Sequence, residues 1–140
     1  MKMKTLPYRI SGLDYVYVIV PVERAADGTE YIDLPPNTIE RAIAVKLIED
    51  RIPIRGAEAR FLRSALGMSL KAWGESFGMS AAGVQKWEKA KDKRLTPVNE
   101  AAIRSFCGEL LNVSLDSRWS KLVAKDKAPK RLSLRIEEAA

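Results

Sequence analysis

Apolar and polar positions along this chain change their period twice. From Tyr8 to Val22 β-branched and aromatic residues crowd together, and Tyr15, Val16, Tyr17, Val18, Ile19 and Val20 predict a strand with at least one buried face. Ala26-Asp27-Gly28-Thr29 then carries the Asp-Gly pair that favours primed hairpin turns, and Tyr31 to Leu34 reads as the returning strand. Pro35 and Pro36 stop it. Asn37, with Glu40 three residues later, predicts a capping box and a helix running to about Arg51, its pattern marked by Ile39, Ala42, Ile43, Lys46 and Leu47. A lone hairpin is marginal in water, so this helix or a second chain is expected to cover it. Tyr15, Tyr17, Val18 and Val20 are expected to offer more apolar surface than one helix can bury, which points to a partner or a second protomer.

Ile52-Pro53-Ile54 reads as an extended connector, because Pro disfavours helical geometry in the residue before it. From Gly56 the period becomes helical. Phe61, Leu62, Ala65 and Leu66 share one face, with Arg60, Arg63 and Ser64 turned away. Thr96-Pro97 predicts a further helix start, and Ile103, Phe106, Cys107, Leu110 and Leu111 form its apolar stripe. Beyond Asn112 lie Trp119, several lysines and the alternating segment 131–136, either a late strand or a flexible arm. The expected class is α+β, with a hairpin-and-helix unit over 1–54, an all-α unit over 55–112 and a basic tail over 113–140.

Between Met68 and Glu88 the punctuation is densest. Ser69 is placed to cap a helix, Gly78 to end it at positive φ, and Ser80 to cap the next. Trp73, Phe77, Met79, Val84 and Trp87 fall where two short crossing helices need apolar filling, and Gly74 allows their close approach. The polar basic run Lys89-Ala90-Lys91-Asp92-Lys93-Arg94 reads either as a solvated connector or as a loop that reaches phosphates.

The positions Met68, Ser69, Gly74, Gly78, Met79, Ser80, Val84, Trp87 and Glu88 give this stretch its resemblance to the helix-turn-helix of the Xre/Cro type. The resemblance implies a second helix lying in the DNA major groove, with Ala81, Ala82, Gln85 and Lys86 facing it. Ser69, Lys71, Ser80 and Lys89 are then the neighbouring contacts, the lysines on phosphates. Leu70 stands where that family usually has Gln, and Gly83 where a hydroxyl residue is common. Over residues 8 to 111 the order of elements also resembles the MqsA/YgiT-type antitoxins of type II toxin–antitoxin operons, in a short form. Tyr8 to Leu13 with Val16, Thr38 to Leu47, and Ile54 to Arg63 carry that likeness, with Gly56, Glu58, Phe61, Leu62 and Arg63 matching. It implies a homodimer that binds an operator palindrome in double-stranded DNA, represses its own promoter and pairs with a cognate toxin protein. The family's paired CxxC zinc ligands have no counterpart here, so zinc is not carried over.

Charge adds weight to a polyanion partner. The formal net charge is +6, and residues 1–54 hold 7 basic and 8 acidic side chains whereas residues 55–91 hold 7 and 3. The plain alternative for such an excess is a solvated surface. One cysteine and no histidine leave no disulfide framework and no zinc site of the usual kind, so neither metal nor other cofactor is expected. Cys107 reads as a small buried side chain, and with no nucleophile motif or phosphate-binding Gly loop an enzyme is not expected. No membrane-length apolar run or secretory signal occurs, so a cytoplasmic location is expected. The first functional expectation is therefore a sequence-specific transcriptional regulator. The alternative is a protein-interaction module with the same fold and no DNA binding.

Overall fold

Strand β2 (Val16–Arg24) is the spine of a four-stranded sheet in the computed structural model, which describes residues 2–124 and 127–136. Strand β1 (Lys2–Tyr8) pairs antiparallel along one edge of β2, from Lys2 opposite Val22 to Tyr8 opposite Val16. The other edge is shared. Strand β3 (Glu30–Ile32) pairs antiparallel with its end at Val22 to Arg24, and β4 (Leu132–Arg135) pairs parallel with its start at Val16 to Ile19. The fold is α+β. The alternation read from the sequence is realised, since Val16, Val18, Val20 and Val22 are all buried on one face.

The sheet extends beyond the strands read from the sequence. The strand read at Tyr15 to Val20 forms from Val16 as part of the longer β2, and a 3-10 turn at Ile10–Gly12 separates it from β1. β1 lies outside the strands that the pattern predicts, because Lys2, Lys4 and Pro7 mask a weak alternation. The carbonyls of Tyr15, Ile19 and Pro21 bond toward β4 and β3, so the even residues of β2 face β1 and Met3, Thr5 and Pro7 turn their main-chain groups to the open edge. Pro7 has no donor to offer there. Missing donors and lysines are what keep an edge strand from recruiting another chain. The hairpin between β2 and β3 forms where expected, with Gly28 at φ 91° and the Asp27 carboxylate accepting from the amide and hydroxyl of Thr29. Those two bonds hold the Asp27 carboxyl below the usual carboxylate range.

Helix α1 (Thr38–Glu49) packs Ile43, Ala44, Leu47 and Ile48 into the core. Its start does not use the expected capping box. Asn37 lies in the left-handed region at φ 67°, and its side-chain amide donates instead to the carbonyl of Ala65, tying α1 to the end of helix α2 (Gly56–Ala65). Helices α3 (Leu70–Ser76), α4 (Ala81–Lys89), α5 (Pro97–Leu110) and the short α6 (Trp119–Leu122) follow. Thr96 caps α5 as expected, accepting from Asn99, while Leu110 of the predicted stripe is 43% exposed because it sits in the last turn. One apolar cluster runs from Val18 and Val20 through Ile48, Ile52 and Ile54 to Phe61, Trp73 and Ile103. The apolar surface expected to need a partner is thus covered at Val18 and Val20 by the chain's own helices. The segment 131–136 takes the strand alternative, with Leu132 and Ile136 buried. No described helix is long and apolar enough to cross a membrane.

Glu100 and Arg104, one turn apart on α5, are both fully buried. Burial pushes the Arg104 guanidinium down, and the nearby Glu100 carboxylate pushes it back up. Arg104 donates to the carbonyls of Leu122 at 2.7 Å, Ile52 at 2.7 Å and Leu47 at 3.3 Å. Glu100 accepts from the amides of Ile54 at 3.1 Å and Ala124 at 2.6 Å, and from the Arg94 guanidinium. Two charges thereby satisfy main-chain groups of the α1 end, the connector and the tail at once. Arg104→Ala and Glu100→Ala should each cost about 3–5 kcal/mol, because each strands a buried charge, and lower Tm by roughly 10 °C or more. A double replacement by apolar residues should remain costly, since the main-chain groups stay unpaired. Calorimetry on the three variants checks both statements, and single losses under about 1 kcal/mol would show the pair to be dispensable.

Candidate nucleic-acid interface

Helices α3 and α4 meet through a tight turn built by small residues. Ser69 accepts from the amide of Ala72 at 3.1 Å and Ser80 from that of Gly83 at 3.1 Å, so both capping roles read from the sequence are realised. Gly78 takes φ 67°, and the Met79 amide then returns to the carbonyl of Gly74 at 2.8 Å. A Cβ on Gly74 would lie 2.6 Å from the Met79 carbonyl oxygen, the close approach that the sequence called for. Trp73 is fully buried in the wedge, edge-on to Phe77 and Phe106, with centroids 5.0 and 5.9 Å away. Val84 is buried beneath α4 and Trp87 half-buried.

Helix α2 sets where α4 lies. A Cβ on Gly56 would lie 2.1 Å from the carbonyl oxygen of Trp87, so only glycine lets the two backbones touch. Arg63, expected to face solvent, instead grips Glu88 with two bonds of 2.8 Å and donates to the carbonyl of Met68. Hydrogen bonding to Glu88 raises the Arg63 pKa. The loop after α4 is held as well. The first-turn amides of α2, Gly56 and Ala57, donate to the carbonyls of Lys93 and Lys91, and the Leu95 amide donates to Ile54. With its carbonyls spent inward as a cap, the loop leaves the side chains of Lys91 and Lys93 exposed.

The residues expected at DNA divide by this geometry. Ala82, Gln85, Lys86 and Lys89 are exposed along the outer side of α4, and Ala81 is half-buried at its first turn. Ser69, Lys71 and Ser80 are exposed beside it. Ser69 and Ser80 each use an oxygen lone pair for capping and keep a hydroxyl proton to donate. A groove of about 320 Å³ on one flank of α4 brings Gln85 and Lys89 together with Arg60, Leu70 and Lys91. Lys86 lies on the opposite flank, in a groove shared with Lys93, Thr96 and Asn99. Lys71 lines neither. Arg60 is therefore an addition to the set, while Lys91 and Lys93 belong to the run that already reads, in one of its two alternatives, as a loop reaching phosphates. Arg60 was legible as a polar-face residue of α2, but nothing in the sequence aligned that face with α4.

Charge in this region is sorted by position. Arg60, Lys71, Lys86, Lys89, Lys91 and Lys93 are exposed and make no ion pair or hydrogen bond among the described residues. The acids nearby are mostly engaged. Glu58 accepts from Arg55 and from the Tyr15 hydroxyl, Glu88 from Arg63, and Asp92 from Arg55, leaving Glu75 exposed on α3. The outer surface around α4 is thus cationic even though the chain's net excess is modest. Among the described residues no group of three or more potential metal ligands gathers. Compared with known proteins, the chain matches no family model, no curated protein and no solved structure.

Two outcomes are expected from the packing behind this surface. Gly56→Ala should lose about 1–3 kcal/mol in urea denaturation, because its methyl group must push α4 away. An unchanged midpoint would mean that α4 is free to shift. Cys107 is fully buried, and burial pushes its thiol up to about 12. Iodoacetamide at mildly alkaline pH should leave the native protein unmodified and label it only in denaturant, read by intact mass.

Proposed function

We propose that this chain is a sequence-specific DNA-binding transcriptional regulator in which α4 enters the major groove and the surrounding cations contact phosphates. The observation that carries this reading is the sorting of charge just described: six unpaired cations on the outer surface around one capped, rigidly seated helix. Gln85 is the side chain on that helix equipped for bidentate recognition of a base edge, and Lys86 can donate to guanine. Ala81 and Ala82 offer methyl contacts to thymine. The lysines on either flank, Lys89 with Arg60 and Lys91 on one and Lys86 with Lys93 on the other, are spaced to meet the two strands that border the groove. Within this class, the resemblance carried by Tyr8 to Leu13, Thr38 to Leu47 and Ile54 to Arg63 supports an antitoxin that represses its own operon as a dimer.

Binding of the chain's own upstream DNA, followed by fluorescence anisotropy across a salt series, tests the proposal. If about six phosphates are neutralised, the slope of log K against log salt should be near −5. Lys89→Ala should weaken all sequences alike and reduce that slope by about 1, whereas Gln85→Ala should relax preference at one position per half-site with the slope unchanged. Absence of binding at low salt, or a flat response, would remove the DNA reading and favour the protein-interaction module.

A further inference from the structure

The sheet comes up to the outer surface around α4 at the 3-10 turn Ile10–Gly12 between β1 and β2, which packs on the start of α2. Gly12 turns there at φ 79°, and a Cβ on it would lie 3.3 Å from that of Ala57. The Ala57 amide in turn donates to the carbonyl of Lys91 at 3.0 Å, so one residue of α2 touches both this turn and the loop after α4. Arg55 makes the same junction with its side chain. Its Nη2 donates to the Gly12 carbonyl at 3.2 Å and its Nη1 to the Asp92 carboxylate at 3.3 Å, which sets turn and loop at the two ends of a single guanidinium. Arg9, the residue before the turn, is exposed, and its side chain makes no ion pair or hydrogen bond among the described residues. Two nearby acids are already engaged, since Asp92 is held by Arg55 and Glu58 is buried against the same guanidinium. Asp14, beyond the buried Leu13, is exposed as well, so what distinguishes Arg9 is its place beside the loop and not a local excess of charge.

We propose that Arg9 is a DNA-contacting residue: the duplex seated on α4 extends past the loop lysines to the β1–β2 turn, where Arg9 meets a phosphate of the strand that Arg60, Lys89 and Lys91 border. The inference rests on the DNA-binding reading and enlarges its surface from the helix-turn-helix to the sheet. Neither the motif nor the charge count points there, because residues 1–54 hold 7 basic and 8 acidic side chains. What matters is which cation the fold brings to the interface. Arg9 stands at the end of the sheet that Ala57 and Arg55 fasten to the loop, whereas Lys2, opposite Val22, stands at the other end of β1. A phosphate contact of this kind adds affinity and fixes orientation without reading sequence.

Anisotropy titration of the full chain against its own upstream DNA over a salt series tests it, with circular dichroism confirming that each variant is folded. Arg9→Ala should weaken binding about three- to tenfold, alike on all sequences, and reduce the slope of log K against log salt by about 1. Lys2→Ala is the matched control. Lys2 is an exposed cation of the same sheet, roughly 20 Å from Arg9 by strand rise, and its removal should leave affinity and slope unchanged. Proximity gives a readout independent of affinity. Arg9→Cys carrying a photoactivatable azidophenacyl group should crosslink to the duplex and Lys2→Cys carrying the same group should not, with the buried Cys107 unlabelled in both. Equal effects of the two alanine variants, an Arg9→Ala titration that superimposes on that of the unmodified chain, or a crosslink from both positions or from neither overturns the inference while the unmodified chain still binds DNA and the reading stands. No binding by the unmodified chain removes the reading and the inference together.

Discussion

The structure depends first on two buried charges in α5. Glu100 and Arg104 would be expensive alone in an apolar interior, but each is saturated with partners from elsewhere in the chain. Those partners are main-chain groups in the last turns of α1 and α6 and in the irregular segments that follow them, at Ile52, Ile54 and Ala124. Irregular backbone must find hydrogen bonds when it is buried, and here the side chains of one helix supply them. Ile52, Pro53 and Ile54, which read as an extended connector, are in consequence wholly inside. The sheet and helices are joined there rather than merely tethered.

A second joint lies at Glu58, which closes the start of α2 by accepting from the Arg55 amide and also receives the Tyr15 hydroxyl from the sheet side. Burial, and then the Glu58 charge, push the Tyr15 hydroxyl pKa upward, so the phenol stays protonated and keeps donating. From this anchored α2 the position of α4 follows. Gly56 allows contact, the Arg63–Glu88 pair sets the roll of the helix, and the loop carbonyls close the first turn of α2. Each of these bonds draws an acid or a carbonyl inward. What remains outside is cationic.

That outcome links packing to the proposed function. Where acids serve as internal acceptors, the lysines keep no ion-pair partner among the described residues, and this is what the proposed reading uses for phosphate. The first turn of α4 is small, with Ala81, Ala82 and Gly83, so on the proposed reading a groove wall approaches closely and hydrogen-bond readout falls on Gln85 and Lys86. The sheet lies beyond this surface, with its Val16, Val18, Val20 and Val22 face spent on the core.

The sequence by itself determined the local events. Ser69, Ser80 and Thr96 cap because a short hydroxyl side chain can reach the orphan amides of its own helix, and Gly78 turns because it lacks a Cβ. The alternation of β2 fixed its buried face, and the Asp-Gly turn its hairpin. All of these are decided within a few residues. Tertiary structure decided whatever involves partners far apart in the chain. Asn37 could have capped α1, but a carbonyl 28 residues away took its amide. Arg63 had the spacing of an exposed residue and became internal because Glu88 came to meet it. β1 and β4 are strands only because β2 offers two edges, and the segment 131–136 was undecided until that second edge existed. Glu100 and Arg104 carry no local sign of burial, since a charged side chain goes inside only where a fold brings it enough partners, and those partners were set by the folding of everything else.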